Sequence, residues 1–121
     1  MHYSTKNIGN SGEIIAINYL QKKGYKIIAT NYFIKGGEID IVAKKDYKII
    51  FIEVKYRKSL DFGTPEDAMT KVKKQRFLFT IQNYIISKNI EEENIEADFI
   101  SITEKNGNIE IKHYKNIDLY N

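Results

Sequence analysis

The sequence of 121 residues predicts an α/β (α+β) fold in which helices flank a mixed β-sheet, with the element order αβββαββ. Two segments, at about residues 10–23 and 64–88, carry apolar side chains at helical spacing. Five shorter segments are rich in β-branched and aromatic residues, as strands are. No repeat or low-complexity tract divides the chain, so we expect residues 1–121 to form one domain.

The first predicted helix carries a carboxylate where an apolar residue is expected. The helix should end at Gly24, a common C-terminal cap, and Ala16, Ile17 and Leu20 form its apolar stripe. Glu13 lies on the same stripe, one helical turn before Ala16 and Ile17. A carboxylate on a buried helix face is costly unless it has a partner, so Glu13 is a candidate functional residue.

The remaining elements are marked by strand composition, turn residues and a helix start. The strands are expected at about residues 25–29, 38–44, 48–56, 97–103 and 109–114. A short turn around Asp46 joins the second strand to the third, and Asn106-Gly107 is typical of a type I′ hairpin between the last two. Thr64 is expected to cap the second helix, because Pro65 suits the first helical position.

The second predicted helix has two apolar faces. One face contains Ala68, Val72, Phe79 and Ile86, and the other contains Phe77, Leu78, Ile81, Tyr84 and Ile85. A helix that is apolar on two sides is buried between layers or meets a partner. A homodimer would cover the additional face, and a final strand or the C-terminal tail would also do so.

The composition restricts the kind of metal site that the chain can form. There is no cysteine, so disulfides and thiolate ligands are excluded, and two histidines argue against a histidine-based zinc site. Oxygen ligands remain, and they favour Mg²⁺ or Mn²⁺. No apolar run approaches the roughly 20 residues that span a bilayer, so no membrane partner is expected.

The strongest functional signal comes from two neighbouring strands. If the turn pairs Lys44 with Ile49, Asp40 faces Glu53 across the antiparallel hairpin. The strand period of two places Lys55 on the face of Glu53. Glu53 with Lys55 alone would be a surface pair of little value, and Asp40 alone would be a solvated residue. Their predicted convergence inside apolar strands favours a functional site.

Adjacent carboxylates resist joint ionisation, and a divalent cation removes this conflict. A cation held by Asp40 and Glu53 would bind a phosphate oxygen and lower the pKa of a coordinated water. Lys55 would orient or deprotonate that water, and Glu13 is the natural additional ligand. The sequence therefore predicts phosphodiester hydrolysis, with Glu13, Asp40 and Glu53 as metal ligands and all four residues as catalytic.

Basic residues are concentrated between Lys55 and Arg76, although the formal net charge is only +3. Lys73 and Arg76 belong to a polar stripe of the second helix that continues through Thr80, Asn83 and Ser87. Arg57 and Lys58 follow the strand of Lys55. Arg57, Lys58, Lys73 and Arg76 are thus candidate nucleic-acid contacts, and a solvated helix face is an equally good explanation of the stripe.

The motifs Gly37-Glu38-Ile39-Asp40 and Phe51-Ile52-Glu53-Val54-Lys55, with Gly12-Glu13 before them and Asp98-Phe99 after them, resemble the YraN-like family of small bacterial proteins. That family is a branch of the PD-(D/E)xK nuclease superfamily, related to archaeal Holliday-junction resolvases. The resemblance implies a restriction-endonuclease-like fold and a cytoplasmic protein that acts on DNA with Mg²⁺ or Mn²⁺. Asp40, Glu53 and Lys55 match the superfamily signature, and Glu13 matches the helix-borne acid of the resolvase-like branch. Phe33 departs from the family pattern, because relatives often carry an arginine there that would contact phosphate.

The sequence-based hypothesis is therefore a metal-dependent endonuclease that hydrolyses DNA phosphodiester bonds, with branched, flapped or single-stranded DNA as candidate substrates. One alternative is a non-catalytic DNA-binding or scaffold protein that retains the nuclease fold, since a shared fold does not establish a shared activity. A second is a ribonuclease that uses the same site. A third is a protein-interaction domain whose acids are only structural.

Overall fold

The computed structural model describes residues 11–58, 65–91 and 94–121. Its elements are α1 Ser11–Lys22, β1 Lys26–Ile34, β2 Gly37–Lys45, β3 Lys48–Arg57, a short 3₁₀ turn Pro65–Ala68, α2 Lys71–Ser87, β4 Ile95–Lys105 and β5 Asn108–Tyr114. The predicted order of helices and strands is confirmed.

The described strands form one five-stranded sheet in the order β1-β2-β3-β4-β5. β3 and β4 are parallel and the other neighbours are antiparallel, so the sheet is mixed as predicted. Parallel neighbours need a crossover connection, and α2 lies in that connection. This α+β arrangement is consistent with a restriction-endonuclease-like fold.

The two helices pack on opposite faces of the sheet and create two cores. The α1 core contains the predicted stripe of Ala16, Ile17 and Leu20 against strand residues that include Ile41, Ile52 and Ile100. The α2 core contains Phe77, Ile81 and Tyr84 against strand residues that include Ile39, Val42 and Phe51. The sheet is therefore buried on both sides at its centre, which explains the near-continuous apolar runs of β2 and β3.

The start of the second helix differs from the prediction. Thr64 lies outside the described residues, and α2 begins only at Lys71. Thr70 is the N-cap, in extended backbone geometry (φ −67°, ψ 164°), and its hydroxyl accepts the Lys73 N–H at 3.2 Å. The expectation of one helix over residues 64–88 was wrong at its beginning, because the Thr70 side chain caps a new helix that starts after the Pro65–Ala68 turn.

One of the two apolar faces of α2 is exposed. Val72, Phe79 and Ile86 are 53%, 54% and 76% exposed, whereas Ala68 is buried in the 3₁₀ turn. Leu119, near the end of the chain, packs in the α2 core. A homodimer over the exposed face stays a prediction. Across the described ranges, no helix has both the length and the apolar character needed to cross a membrane.

The hairpin turns agree with their sequence signals. Asp46 has a positive φ of 56°, and Asn106 and Gly107 have φ values of 52° and 78°, as both central residues of a type I′ turn require. β1 is longer than the predicted segment of residues 25–29, because it continues through Asn31 to a two-residue turn that connects Ile34 to Gly37. Asn31 also has a positive φ, of 52°, inside the strand.

Candidate active site

The candidate site lies where β2 and β3 stop pairing. The predicted register is confirmed from the Lys45–Lys48 pair to the Ile41–Ile52 pair. Asp40 and Glu53 lie one position beyond the last of these pairs. They are therefore not the directly opposed ladder pair that we expected, and their side chains meet at the open end of the ladder.

An irregularity shared by β1 and β2 explains why the ladder opens. Ile41 packs in the α1 core and Ile39 in the α2 core, although a regular strand places residues two apart on one face. The residue between them is Asp40, and the position across from it in β1 is Asn31, between the Thr30–Ile41 and Tyr32–Ile39 pairs. The left-handed conformation of Asn31 accompanies this change of face, and Asp40 thereby turns towards β3.

The Asp40 carboxylate occupies the place of a missing backbone partner. Its Oδ2 accepts the Val54 N–H at 2.7 Å, just past the point where the β2–β3 ladder ends. The same carboxyl group is hydrogen-bonded to that of Glu53. Asp40 is almost fully buried and Glu53 is partly buried. Two carboxyl groups are thus held together at the edge of the core.

The pair cannot be fully ionised near neutral pH. The pKa of Asp40 is raised to about 6, chiefly by burial and also by the charges of Glu13 and Glu38. The hydrogen bond from the Val54 N–H acts in the opposite direction and lowers this pKa. Burial also raises the pKa of Glu53 to about 9, and the neighbouring Asp40 charge adds to this effect. One proton is therefore shared between the two carboxyl groups at pH 7.

The pair lies in a cleft of about 850 Å³ that is lined by both acids and cations. The acids are Glu13, Glu38, Asp40 and Glu53, and the cations are Lys35, Lys55, Lys73 and Arg76. Glu13 reaches the cleft from α1 and is only 4% exposed, as its place on the apolar stripe predicted. The charge of Lys73 lowers the pKa of Glu53, whereas burial and the neighbouring acids raise it, so one cation of α2 acts on the acid pair.

The structure brings together most of the residues predicted from sequence. Glu13, Asp40, Glu53 and Lys55 line the cleft, with Lys73 and Arg76 from the predicted nucleic-acid contacts. Arg57 and Lys58 lie at the end of β3 and do not line this cleft.

Sequence reasoning missed Glu38 as a site residue. Its charge raises the pKa of both Asp40 and Glu53, although its own side chain is exposed. The sequence did contain a signal for Glu38, because it precedes Asp40 by two residues in a predicted strand and residues two apart share a strand face.

The polar stripe of α2 serves three purposes. Lys73 and Arg76 line the cleft, whereas Thr80 is fully buried and Asn83 accepts a hydrogen bond from the Tyr32 hydroxyl at 2.6 Å. The hydroxyls of Tyr32 and Ser87 are also within hydrogen-bond distance, at 3.4 Å. Only the first turns of the stripe therefore face the cleft, and the rest of it holds β1 against α2.

Gly37 brings the β1–β2 hairpin into close contact with α2. A Cβ atom at Gly37 would lie 2.1 Å from Oγ1 of Thr80 and 3.3 Å from the carbonyl oxygen of Arg76. The Thr80 hydroxyl donates to the same carbonyl at 2.7 Å. This contact fixes the hairpin relative to the helical turn that carries Arg76.

The donor chemistry of the cleft fits a hard divalent cation, with carboxylate oxygens and no sulfur or imidazole. Within residues 11–58, 65–91 and 94–121, however, no three Asp, Glu, His or Cys side chains are already arranged as metal ligands. The carboxyl groups of Asp40 and Glu53 are hydrogen-bonded to each other, and Glu13 lines the same cleft.

A further buried carboxylate, that of Asp98, does not line the cleft. Asp98 is fully buried, and its oxygens bind Nε2 of His113 at 2.7 Å and the N–H of Asn116 at 3.0 Å. Nδ1 of His113 is 3.0 Å from the hydroxyl of Tyr19 in α1. This chain of contacts ties α1 to β4 and β5, which gives Asp98 of the Asp98-Phe99 motif a structural role.

The model of the family described as "Uncharacterised protein family UPF0102" matches residues 12–118. This chain belongs to that family. A UPF0102 protein of Carboxydothermus hydrogenoformans is 39% identical over 112 residues, which are 93% of the chain and 95% of that relative. A UPF0102 protein of Clostridium botulinum is 40% identical over 119 residues, which are 96% of the chain and 97% of that relative. A UPF0102 protein of Flavobacterium psychrophilum is 36% identical over 109 residues, 90% of the chain and 91% of that relative. The resemblance seen in the sequence motifs is thereby confirmed, and the acid cleft lies inside the part that the UPF0102 model matches.

Proposed function

We propose that this UPF0102 protein is a Mg²⁺- or Mn²⁺-dependent endonuclease that hydrolyses DNA phosphodiester bonds, with branched or flapped DNA as its preferred substrates. The observation that carries the proposal is the hydrogen-bonded pair of Asp40 and Glu53 in a cleft that Lys55 also lines. Such a pair is costly to bury without a cation, so a role beyond stability is the better explanation for it.

Asp40 and Glu53 would hold the cation, and Glu13 would provide a third carboxylate from α1. When bound, the cation supplies a Lewis acid for a phosphate oxygen and for a water molecule. The proton shared by Asp40 and Glu53 must leave before both carboxylates can act as ligands. The Val54 N–H keeps Oδ2 of Asp40 in a fixed position, so the carboxylate is oriented in advance.

Lys55 provides the positive charge closest in sequence to the acid pair. Its Nζ would orient the attacking water and stabilise the negative charge that develops on the phosphate. Lys73 and Arg76 would bind the flanking phosphates, because both lie on the α2 side of the same cleft. In this proposal the acids of the cleft bind the metal ion, and Lys73 and Arg76 bind the phosphates of the DNA.

The test is cleavage of labelled branched, flapped, duplex and single-stranded DNA, and of RNA, with Mg²⁺ or Mn²⁺. Wild type should cut DNA, and Asp40→Asn and Lys55→Ala should each lower the rate by a factor of about 100 or more while keeping the fold. Asp46→Asn is the matched control, since Asp46 lies in the turn at the other end of β2 and asparagine suits its positive φ. Normal cleavage by either site variant would contradict the mechanism.

The same panel distinguishes the alternatives. Cleavage of RNA but not DNA would show a ribonuclease that uses this site. Binding of junctions with steep salt dependence, without metal-dependent turnover, would show a scaffold that retains the fold. An absence of both binding and metal affinity would favour a protein-interaction domain.

A further inference from the structure

Phe33 is an apolar residue in an unusual position. Its side chain is 75% exposed, and it lines the cleft that contains the acid pair. Single exposed apolar residues are common on protein surfaces and need no explanation. An exposed aromatic ring among the residues of a charged cleft is different, because the surrounding groups indicate what the ring meets.

Phe33 lies opposite one of the cleft acids, in a hairpin that packs against α2. Phe33 is directly paired with Glu38 across the β1–β2 ladder, and the charge of Glu38 acts on Asp40 and Glu53. The turn beyond it is only two residues long, between Ile34 and Gly37, and Gly37 is packed against α2. A contact made by Phe33 would therefore cost little conformational entropy.

The charges around Phe33 suit a nucleic-acid strand. Lys35 follows it in the hairpin turn, and Lys73 and Arg76 lie across the cleft on α2. The cleft also carries acids, but cations beside an exposed aromatic ring are the combination that binds single-stranded nucleic acid, where phosphates follow the cations and bases stack on the ring. In an intact duplex the base faces are already stacked on one another and cannot meet the ring.

We propose that Phe33 stacks on an unpaired base next to the phosphate in the cleft, so that the site selects nucleic acid with an unpaired nucleotide at that point. This inference rests on the proposed function and specifies its substrate class. Single strands, flaps and junctions with unpaired bases belong to that class, and a continuous duplex does not.

The test measures binding in EDTA, so that turnover is not involved. Fluorescence anisotropy gives the Kd of a labelled single-stranded oligonucleotide and of a blunt duplex of the same sequence. Phe33→Ala should weaken single-strand binding by roughly tenfold and leave duplex binding unchanged. Phe33→Trp should restore the affinity, because it keeps an aromatic face. Tyr47→Ala is the matched control, because Tyr47 is an 84% exposed aromatic residue in the turn between β2 and β3, at the opposite end of β2 from Phe33.

An unchanged Kd for the single strand, or an equal loss for single strand and duplex, would overturn the inference. The second result would indicate a wedge or a general packing effect rather than stacking on an unpaired base. Cleavage assays with Mn²⁺ separate this inference from the proposed function. Selective loss of single-strand binding without any cleavage in wild type would support the stacking and contradict the hydrolysis. Cleavage whose substrate preference survives Phe33→Ala would support the hydrolysis and contradict the stacking.

Discussion

The backbone N–H of Val54 donates a 2.7 Å hydrogen bond to Oδ2 of Asp40. A side chain thus takes over the pairing of β3 where the backbone of β2 has turned away. The carboxylate gains a fixed orientation from this bond, and it remains in contact with Glu53. The bond belongs to both the fold and the site, so changes at Asp40 must be chosen to preserve it. Asparagine retains an oxygen acceptor and alanine does not.

The stability of the metal-free protein should fall as the pH rises. The pKa of Asp40 is raised from 3.8 to about 6 and that of Glu53 from 4.5 to about 9, chiefly by burial. A group whose folded-state pKa is raised stabilises the fold fully below its unfolded pKa and loses this contribution as the pH passes its folded value. We expect the contribution of Asp40 to be lost between about pH 4 and 6 and that of Glu53 between about pH 4.5 and 9.

Thermal unfolding in EDTA from pH 5 to 9 measures this effect. Glu53→Gln removes the titrating group and should flatten the decline in Tm above about pH 6. Glu110→Gln, on the exposed surface of β5, is the matched control and should keep the slope of wild type. If wild type and Glu53→Gln had the same slope, the carboxyl groups would not share a proton as described.

Divalent cations should stabilise the wild type through the acid pair. At a free concentration of about 100 times Kd, a bound ion contributes roughly 2.7 kcal/mol to the free energy of unfolding. The shift in Tm with Mg²⁺ or Mn²⁺ should grow with pH, because the shared proton must leave first. Asp40→Asn should show no shift, whereas Asp46→Asn should behave as wild type. An equal shift in all three proteins would place the metal elsewhere.

Gly37→Ala should destabilise the protein, because its Cβ would lie 2.1 Å from Oγ1 of buried Thr80. Overpacking of this kind costs about 2 kcal/mol, which urea unfolding would detect. Thr80→Ala removes the clashing oxygen and should recover part of the loss in the double variant. Thr80→Ser keeps that oxygen and should recover little. Additive effects of Gly37→Ala and Thr80→Ala would argue against the contact.

His113→Ala should cost about 3 kcal/mol of stability, because it leaves the buried carboxylate of Asp98 without its ring partner. Urea unfolding measures the loss, and Lys112→Ala is the neighbouring exposed control in β5. No residue of the network lines the cleft, so the folded fraction of His113→Ala should retain the metal-induced shift of wild type. A loss below about 0.5 kcal/mol, the range of ordinary surface substitutions, would show that the network contributes little.

Local sequence patterns predicted the parts of the fold that depend on local interactions. The register between Lys44 and Ile49 followed from a short turn and two apolar strands, and the structure has it. Glu13 was found because a carboxylate on an apolar stripe stands out, and it is buried in the cleft. The start of α2 was mistaken because Thr64 and Thr70 both suit an N-cap, and only Thr70 is seen to cap the helix.

Features that depend on contacts distant in sequence could not be predicted. The opening of the ladder at Asp40 depends on the backbone of Asn31, a residue whose side chain is compatible with several conformations. Thr80 was predicted to lie on a polar stripe that contacts phosphate or solvent, but it is buried because Gly37 approaches it without a side chain. Asn106-Gly107 predicted the hairpin of β4 and β5, but no sequence pattern showed that Asp98 would be fully buried and bound to the ring of His113.

The left-handed Asn31 also affects how the protein meets its neighbours in solution. β1 is an edge strand in the sheet of the described residues, and exposed edges can pair with other chains and cause aggregation. The ladder shift between Ile27 and Ala29 and the positive φ of Asn31 interrupt β1 twice within five residues. An incoming strand would find no long regular edge on which to pair. The backbone feature that turns Asp40 towards β3 therefore also discourages edge-to-edge association.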